Sequence, residues 1–483
     1  MTTAPTRTRE RSDTGLVACL AFAALTGAIV AGLGSPIVFE VAQDRDVAIP
    51  DAQWSLIVTL IVGVVGTPVL SRLADGRLRR NLLVVALLLV AGGSALALVP
   101  TFPALLAARC FQGFGYAMVP LTVSIAREQL SGPVLARTLG VLSTSVAVGV
   151  GLGNPAIGLC VMVGGYRAAF VLALVVAGSA AWWVWRRVPV SGEGVGEVRI
   201  DLPGALLLGS ALTATLLFVA RGDIWGWTSA PVLALAGVGG LLLAAWVVVE
   251  LRTREPLVDL RLTCARGVLG VNVAAFLLGI GVFGGATVVI LVVQRPVETG
   301  VGLGQSVFVT GLLMLPMAVA SLVSPPWARA AERVVGSRSV LAFGSLLVSA
   351  AFGFFVLWHD TWWHVAVMML LFGIGIGFAY SVMPAIIVAR TPENRTASAT
   401  GINQVLRLMG GAVGAAIVAA VLSTYTPVGA VHPHEVGYEV AASFSCGGAL
   451  LAAVISRLLL PRRYEPAADR DGGVAEAPDA PIV

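Results

Sequence analysis

Arg109 sits in the middle of a long apolar run, in the stretch Ala107-Ala108-Arg109-Cys110-Phe111-Gln112-Gly113-Phe114-Gly115. A guanidinium at the centre of a bilayer costs about 2.5–3.5 kcal/mol on insertion scales, so it must face a bundle interior or a wet cavity. There it can meet a substrate or take part in proton coupling; the plainer alternative is a structural arginine bonded to backbone carbonyls. A second group is Asp75, embedded among Arg72, Arg77, Arg79 and Arg80. These residues can be an ordinary basic loop. At a helix end, however, a carboxylate with arginine partners can latch one conformation against another. The third is Gly149 to Gly158, with Gly151, Gly153, Asn154 and Pro155 between them. Proline kinks a membrane helix and glycines loosen its packing, giving either a local bend or a helix whose bending accompanies a change of access. Arg407 is the other arginine inside an apolar run. Asn272, Asn403 and Gln404 can bond a ligand or glue helices together. Phe114, Tyr116, Phe276, Phe283 and Tyr380 can line a cavity or simply pack.

The elements that must position these residues are membrane helices. The chain has 483 residues, of which 57% are apolar and 12% charged, against about 25% charged in soluble domains. All 31 basic residues are arginine. Without lysine there is no Walker A loop and no Schiff-base chemistry. None of the five cysteines forms a CxxC pair, so no disulfide frame or zinc site is expected. Glycine runs such as Gly373-Ile-Gly375-Ile-Gly377 lie inside apolar helices, where they serve close helix approach and not nucleotide binding. A spanning helix needs about 20 mostly apolar residues. Fourteen such runs are expected, at 16–38, 53–72, 82–99, 102–125, 138–162, 167–185, 203–220, 230–249, 268–292, 305–326, 339–358, 362–388, 400–423 and 439–460. With the N-terminus inside, 25 arginines fall in cytoplasmic segments or at the cytoplasmic ends of spans and four (Arg45, Arg167, Arg221, Arg295) in outer loops, as the positive-inside rule requires. Both termini are then cytoplasmic. The loop 188–202 is a polar linker and the tail 464–483 is expected to be disordered. His359, His364, His432 and His434 all fall in outer loops. The pair His432-Pro-His434 could bind a metal or sense pH, but solvated loop histidines are the simpler expectation, and no metal is assigned.

The three clusters, in this order, resemble the major facilitator superfamily. Leu73, Asp75, Arg79 and Arg80 match its GxLxDxxGRR signature, with Ser71 and Leu78 in place of glycines. Arg109, Gln112, Gly113 and Gly115 match its RxxQGxG motif. Pro155 and Gly158 fit part of its exporter signature GxxxGPxxGG, where Asn154 and Leu159 depart from it. The added pair of spans looks like the fourteen-spanner drug:proton antiporter branch, as do the stretches 222–231, 250–260, 311–316 and 407–414.

The resemblance implies an all-α integral membrane protein. Two six-helix bundles, residues 1–187 and 261–463, would rock about a central cavity, with a linker and two additional spans at 188–260. Proton influx would drive efflux of drugs or amphiphilic metabolites. Arg109, Gln112, Glu40, Arg407, Asn272, Gln404, Tyr116 and Phe114 are the candidates for substrate and proton coupling. Asp75, Arg79, Arg80, Gly149, Gly153, Pro155 and Gly158 are the candidates for the conformational switch. One departure matters: residues 25–36 lack the Asp usual in the branch's first span, and no Asp or Glu falls in the middle of any expected span. Glu40 and Asp75 are the nearest. A cavity holding arginines and no carboxylate favours neutral or anionic amphiphiles over permanent cations. The alternatives are an importer or uniporter of a specific metabolite, or a receptor on the same scaffold. No catalytic constellation points to an enzyme, and no cofactor or nucleic acid is implied. The expected partners are a small-molecule substrate, protons and the lipid bilayer, and the expected protein is a monomer. The lack of lysine points to a GC-rich genome and hence to a bacterial plasma membrane.

Overall fold

The computed structural model describes residues 6–33, 37, 41, 44–47, 52, 54–190, 201–254, 256–258, 260–265, 267–295, 302–392, 395–426 and 433–460. Among them the only regular elements are helices. Inside a bilayer this follows from the backbone, since a helix satisfies its own N–H and C=O groups.

The helices are α1 (Thr6–Gly32), α2 (Trp54–Leu73), α3 (Arg79–Leu96), α4 (Phe102–Gly113), α5 (Met118–Gln129) and α6 (Gly132–Arg187). Then come α7 (Leu202–Trp225), α8 (Ala230–Arg252), the single turn α9 (Leu260–Thr263) and α10 (Val268–Gln294). The rest are α11 (Val307–Leu313), α12 (Leu315–Val323), α13 (Pro325–Val335), α14 (Ser337–Leu357), α15 (Trp362–Arg390), α16 (Thr396–Thr424) and α17 (Glu435–Leu459).

Among the described residues, eight helices are long and apolar enough to cross a membrane; the pair Phe308–Val323 and Pro325–Val335, bent by 46°, would make a ninth. Thr14–Val30, Val58–Leu73 and Leu202–Phe218 are apolar but shorter. Two of the expected runs share α6. Its 56 residues would reach about 84 Å as one rod, far beyond the roughly 30 Å hydrocarbon core. Gly164 and Gly165 break it, and Gly165 adopts φ +67°, a conformation that glycine reaches without a Cβ clash. The expected run 102–125 is divided too: α4 and α5 are joined by a 3-10 turn at Phe114–Ala117.

Three apolar clusters form the interior. One draws mainly on α1 to α6, around Leu20, Leu87, Met118 and Phe170, and takes in Val388 and Ala397. A second draws on α10 to α17, around Leu278, Phe352, Phe372 and Met383. The third joins α7 and α8 (Leu208, Leu212, Leu216, Trp246) to Val64 of α2 and to Ile402, Val405 and Leu408 of α16. The α7–α8 pair therefore packs over a seam between the first and last parts of the chain. Only 17% of the apolar window of α8 is buried, so most of its surface is left for lipid.

Candidate functional site

Asp75 lies in the turn after α2 and is fully buried. Its carboxylate accepts hydrogen bonds from the backbone N–H of Ala397 at 2.8 Å and of Ser398 at 3.1 Å, and from the Ser398 hydroxyl. These donors belong to the first turn of α16, where N–H groups have no partner within the helix and the helix dipole favours an anion. Asp75 thus caps a helix more than 300 residues away in sequence. Burial pushes its carboxyl up to about 6, against the lowering influence of the Ser398 and Ala397 hydrogen bonds and of Arg72.

Two of the arginines expected around Asp75, Arg79 and Arg80, are arranged differently. Arg79 donates to the carbonyls of Ala74 and Asp75 and pairs with Glu128 at 3.4 Å. It braces the turn and leaves the carboxylate to α16. Arg80 is half-buried and donates to the Trp185 carbonyl at 2.7 Å. A second tie crosses the same seam: Arg127, at the end of α5, donates to the Thr391 carbonyl at 2.7 Å and to the Thr396 hydroxyl. Neither Arg127 nor Ser398 was singled out from the sequence. The Thr-Ala-Ser start of α16 before an apolar run was the available signal, since such residues mark a helix N-terminus.

Arg109 is buried between α2, α3 and α4. Its Nε donates to the Ser55 carbonyl at 3.1 Å and its Nη1 to Gln112 Oε1 at 2.6 Å, while Gln112 Nε2 donates to Ser94 Oγ at 2.9 Å. Nη2 alone has no hydrogen-bond partner. Most of this guanidinium is therefore used in holding helices together. Phe114 and Tyr116 lie on the 3-10 turn and pack on glycines of α2. A Cβ added at Gly63 would come within 2.2 Å of the Tyr116 ring, and one at Gly66 within 3.0 Å of Phe114.

Arg407 on α16 repeats the chemistry with the order reversed. It is buried, donates from Nη2 to Gln404 Oε1, and lies 4.4 Å over the Tyr380 ring, with Nε left over. Asn403 donates to Asn272 at 3.1 Å and so joins α16 to α10. Asn272 thus serves as interhelical glue.

The glycines around Pro155 split between two neighbours. Gly149 and Gly153 face Ala28 and Ile29 of α1. Gly151 faces Ala318 of α12, Gly158 faces Phe308 of α11, and Pro155 lies against Gly311 of α11. A Cβ at Gly151 would meet Ala318 Cβ at 2.4 Å, and one at Gly311 would meet the Pro155 nitrogen at 2.7 Å. The helix stays regular at Pro155 and departs from helical geometry only at Gly164 and Gly165. Glu40 lies outside the described residues. Nearby Asp44 accepts from the Tyr166 hydroxyl at 2.6 Å and from Arg167 at 2.9 Å. These bonds hold its carboxyl below the usual range.

Comparison with known proteins agrees with this architecture. The model of the Major Facilitator Superfamily matches residues 16–324 and 273–480. The chain belongs to the major facilitator superfamily of membrane transporters. It is 31% identical over 337 residues to the methylenomycin A resistance protein of Streptomyces coelicolor, covering 68% of each chain. It is 26% identical over 414 residues to the quinolone resistance protein NorB of Staphylococcus aureus, covering 84% of this chain and 85% of that one. The crystal structure of the human organic anion transporter MFSD10 matches with a TM-score of 0.60 at 16% identity, over 92% of this chain and 99% of the other. The POT family transporter PepTSo matches with a TM-score of 0.61 at 13% identity, over 93% and 97%. At these identities the two structures speak to the fold.

Proposed function

We propose that this protein is a proton-coupled exporter of drugs or amphiphilic metabolites that works by alternating access in a bacterial plasma membrane. The observation that carries the mechanism is the Asp75 contact. An ionisable carboxylate closes a seam between the first bundle and α16 on backbone donors, so separation of the bundles and the protonation state of Asp75 are linked. The export direction draws on the two relatives named for resistance to chemically different antibiotics. Fourteen crossings with both termini cytoplasmic remain the arrangement that best fits the arginine distribution. In it residues 1–187 and 261–463 form the two bundles, joined by the extra pair at 188–260. The α7–α8 cluster against both α2 and α16 supports placing that pair over the moving seam.

The substrate class we propose is neutral or anionic amphiphiles. Arg109 and Arg407 are buried cations that each keep one nitrogen without a hydrogen bond. Neither belongs to an ion pair found among the described residues. The test is drug accumulation in cells expressing the wild type or Arg109→Ala, with and without a protonophore, over a panel of neutral, anionic and cationic compounds that includes a quinolone. Lower accumulation in the wild type, lost with the protonophore and with the substitution, is the expected result. Retained export of the panel by Arg109→Ala would contradict the role given to Arg109. Equal accumulation in the presence and absence of the transporter would contradict drug export.

A further inference from the structure

At the end of the molecule away from the Asp75 turn, the loop between α14 and α15 meets the start of α17. His359 in that loop is buried, with its ring packed 5.3 Å from Phe355. Its Nδ1 lies 2.9 Å from the Phe355 carbonyl oxygen. A carbonyl can only accept, so Nδ1 carries the proton and the neutral ring presents a bare lone pair at Nε2. That lone pair makes no hydrogen bond, and it faces Glu435 Oε1 at 3.4 Å. Two acceptors aimed at each other call for a metal ion or a proton between them. Asp360, next in sequence, brings a third acceptor: the ligand atoms of His359, Asp360 and Glu435 all lie within 4.8 Å of one another.

We propose that His359, Asp360 and Glu435 form a binding site for a divalent first-row transition ion such as Zn²⁺. One imidazole and two carboxylates suit a borderline ion, and three protein ligands leave a position for water. A backbone carbonyl that fixes the other ring nitrogen is the usual second shell of a metal-bound histidine. Ligands 2.0–2.2 Å from a tetrahedral ion sit about 3.5 Å apart. Asp360 and Glu435 are exposed, so they are free to close in by the remaining ångström or so. The bound ion would tie the α14–α15 loop to the start of α17.

The test uses the purified full-length protein, without a polyhistidine tag, titrated with Co²⁺ and then with Zn²⁺. The expected result is a visible cobalt band that saturates at one ion per chain and is bleached by Zn²⁺. His359→Ala, Glu435→Gln and Asp360→Asn should each weaken binding by more than about tenfold, and His434→Ala should leave it unchanged. The two carboxylate substitutions are at exposed positions, so they report on the site even if His359→Ala does not fold. No band at one ion per chain, or a band that Asp360→Asn and Glu435→Gln leave intact, would overturn the proposal. In that case Nε2 holds a proton and pairs with Glu435 as an imidazolium.

Discussion

At the scale of single residues, the chemistry is concentrated in two buried charges with opposite kinds of partner. Asp75 has donors from another part of the fold. Its proton is held up to about 6 in the closed arrangement, against 3.8 for a free carboxyl. The closed form therefore binds the proton more tightly than a form in which Asp75 is solvated. The proton-linked part of closure is fully present below about pH 4 and is lost as pH rises through 6. Distances between spin labels on the α2–α3 turn and the start of α16 should shorten as pH falls through this window. Asp75→Asn should remove that pH dependence. A pH response unchanged in Asp75→Asn would assign it to another group. Arg109 has instead a local set of partners. Gln112→Ala strips a bond from Arg109 and another from Ser94, at a cost of about 1–3 kcal/mol. A lower melting temperature in detergent is the expected readout.

At the scale of elements, the helices carry two kinds of joint. One is the bare seam of α6 on α11 and α12, where Gly151 and Gly311 leave no room for a side chain. Gly151→Val overpacks it by about 1–3 kcal/mol. The protein should still run as a single species in detergent but lose export. Unimpaired export would show that the seam does not need this closeness. The other joint is the α7–α8 pair, whose buried Glu250 accepts the Val258 N–H and holds the following corner near Ile402. Glu250→Ala should speed amide exchange at Leu257 and Val258 by about tenfold or more, with α3 unaffected. Much of this level was legible in the sequence. Apolar runs gave most helix positions, and the Gly164-Gly165 break separated two of them as expected. The 3-10 turn at Phe114–Ala117 was not legible, because Gly113 and Gly115 look the same whether they serve close packing or a change of helix type. The partners of Asp75 were hidden for a different reason: backbone N–H groups exist at every helix start and carry no side-chain signature. Arg109 was legible as a buried charge. Its use as a strut between α2, α3 and α4 depends on packing that spacing along one helix cannot show.

At the scale of the whole molecule, the fold is a transporter fold in which one end of the seam is shut by Asp75 and Arg127, while α7 and α8 lie across the α2–α16 boundary. On the proposed reading, the acid missing from the first span and Asp75 at the seam put proton linkage at closure, away from the middle of the membrane. The measurement that bears most directly on proton-coupled export uses proteoliposomes with a trapped pH dye and a quinolone substrate. With the membrane potential clamped, an imposed proton gradient should drive the quinolone against the direction of proton flow. A pulse of quinolone should move protons the opposite way, and Asp75→Asn should weaken the coupling. Quinolone flux that proceeds with no proton movement, or with protons moving in the same direction, would contradict proton-coupled export.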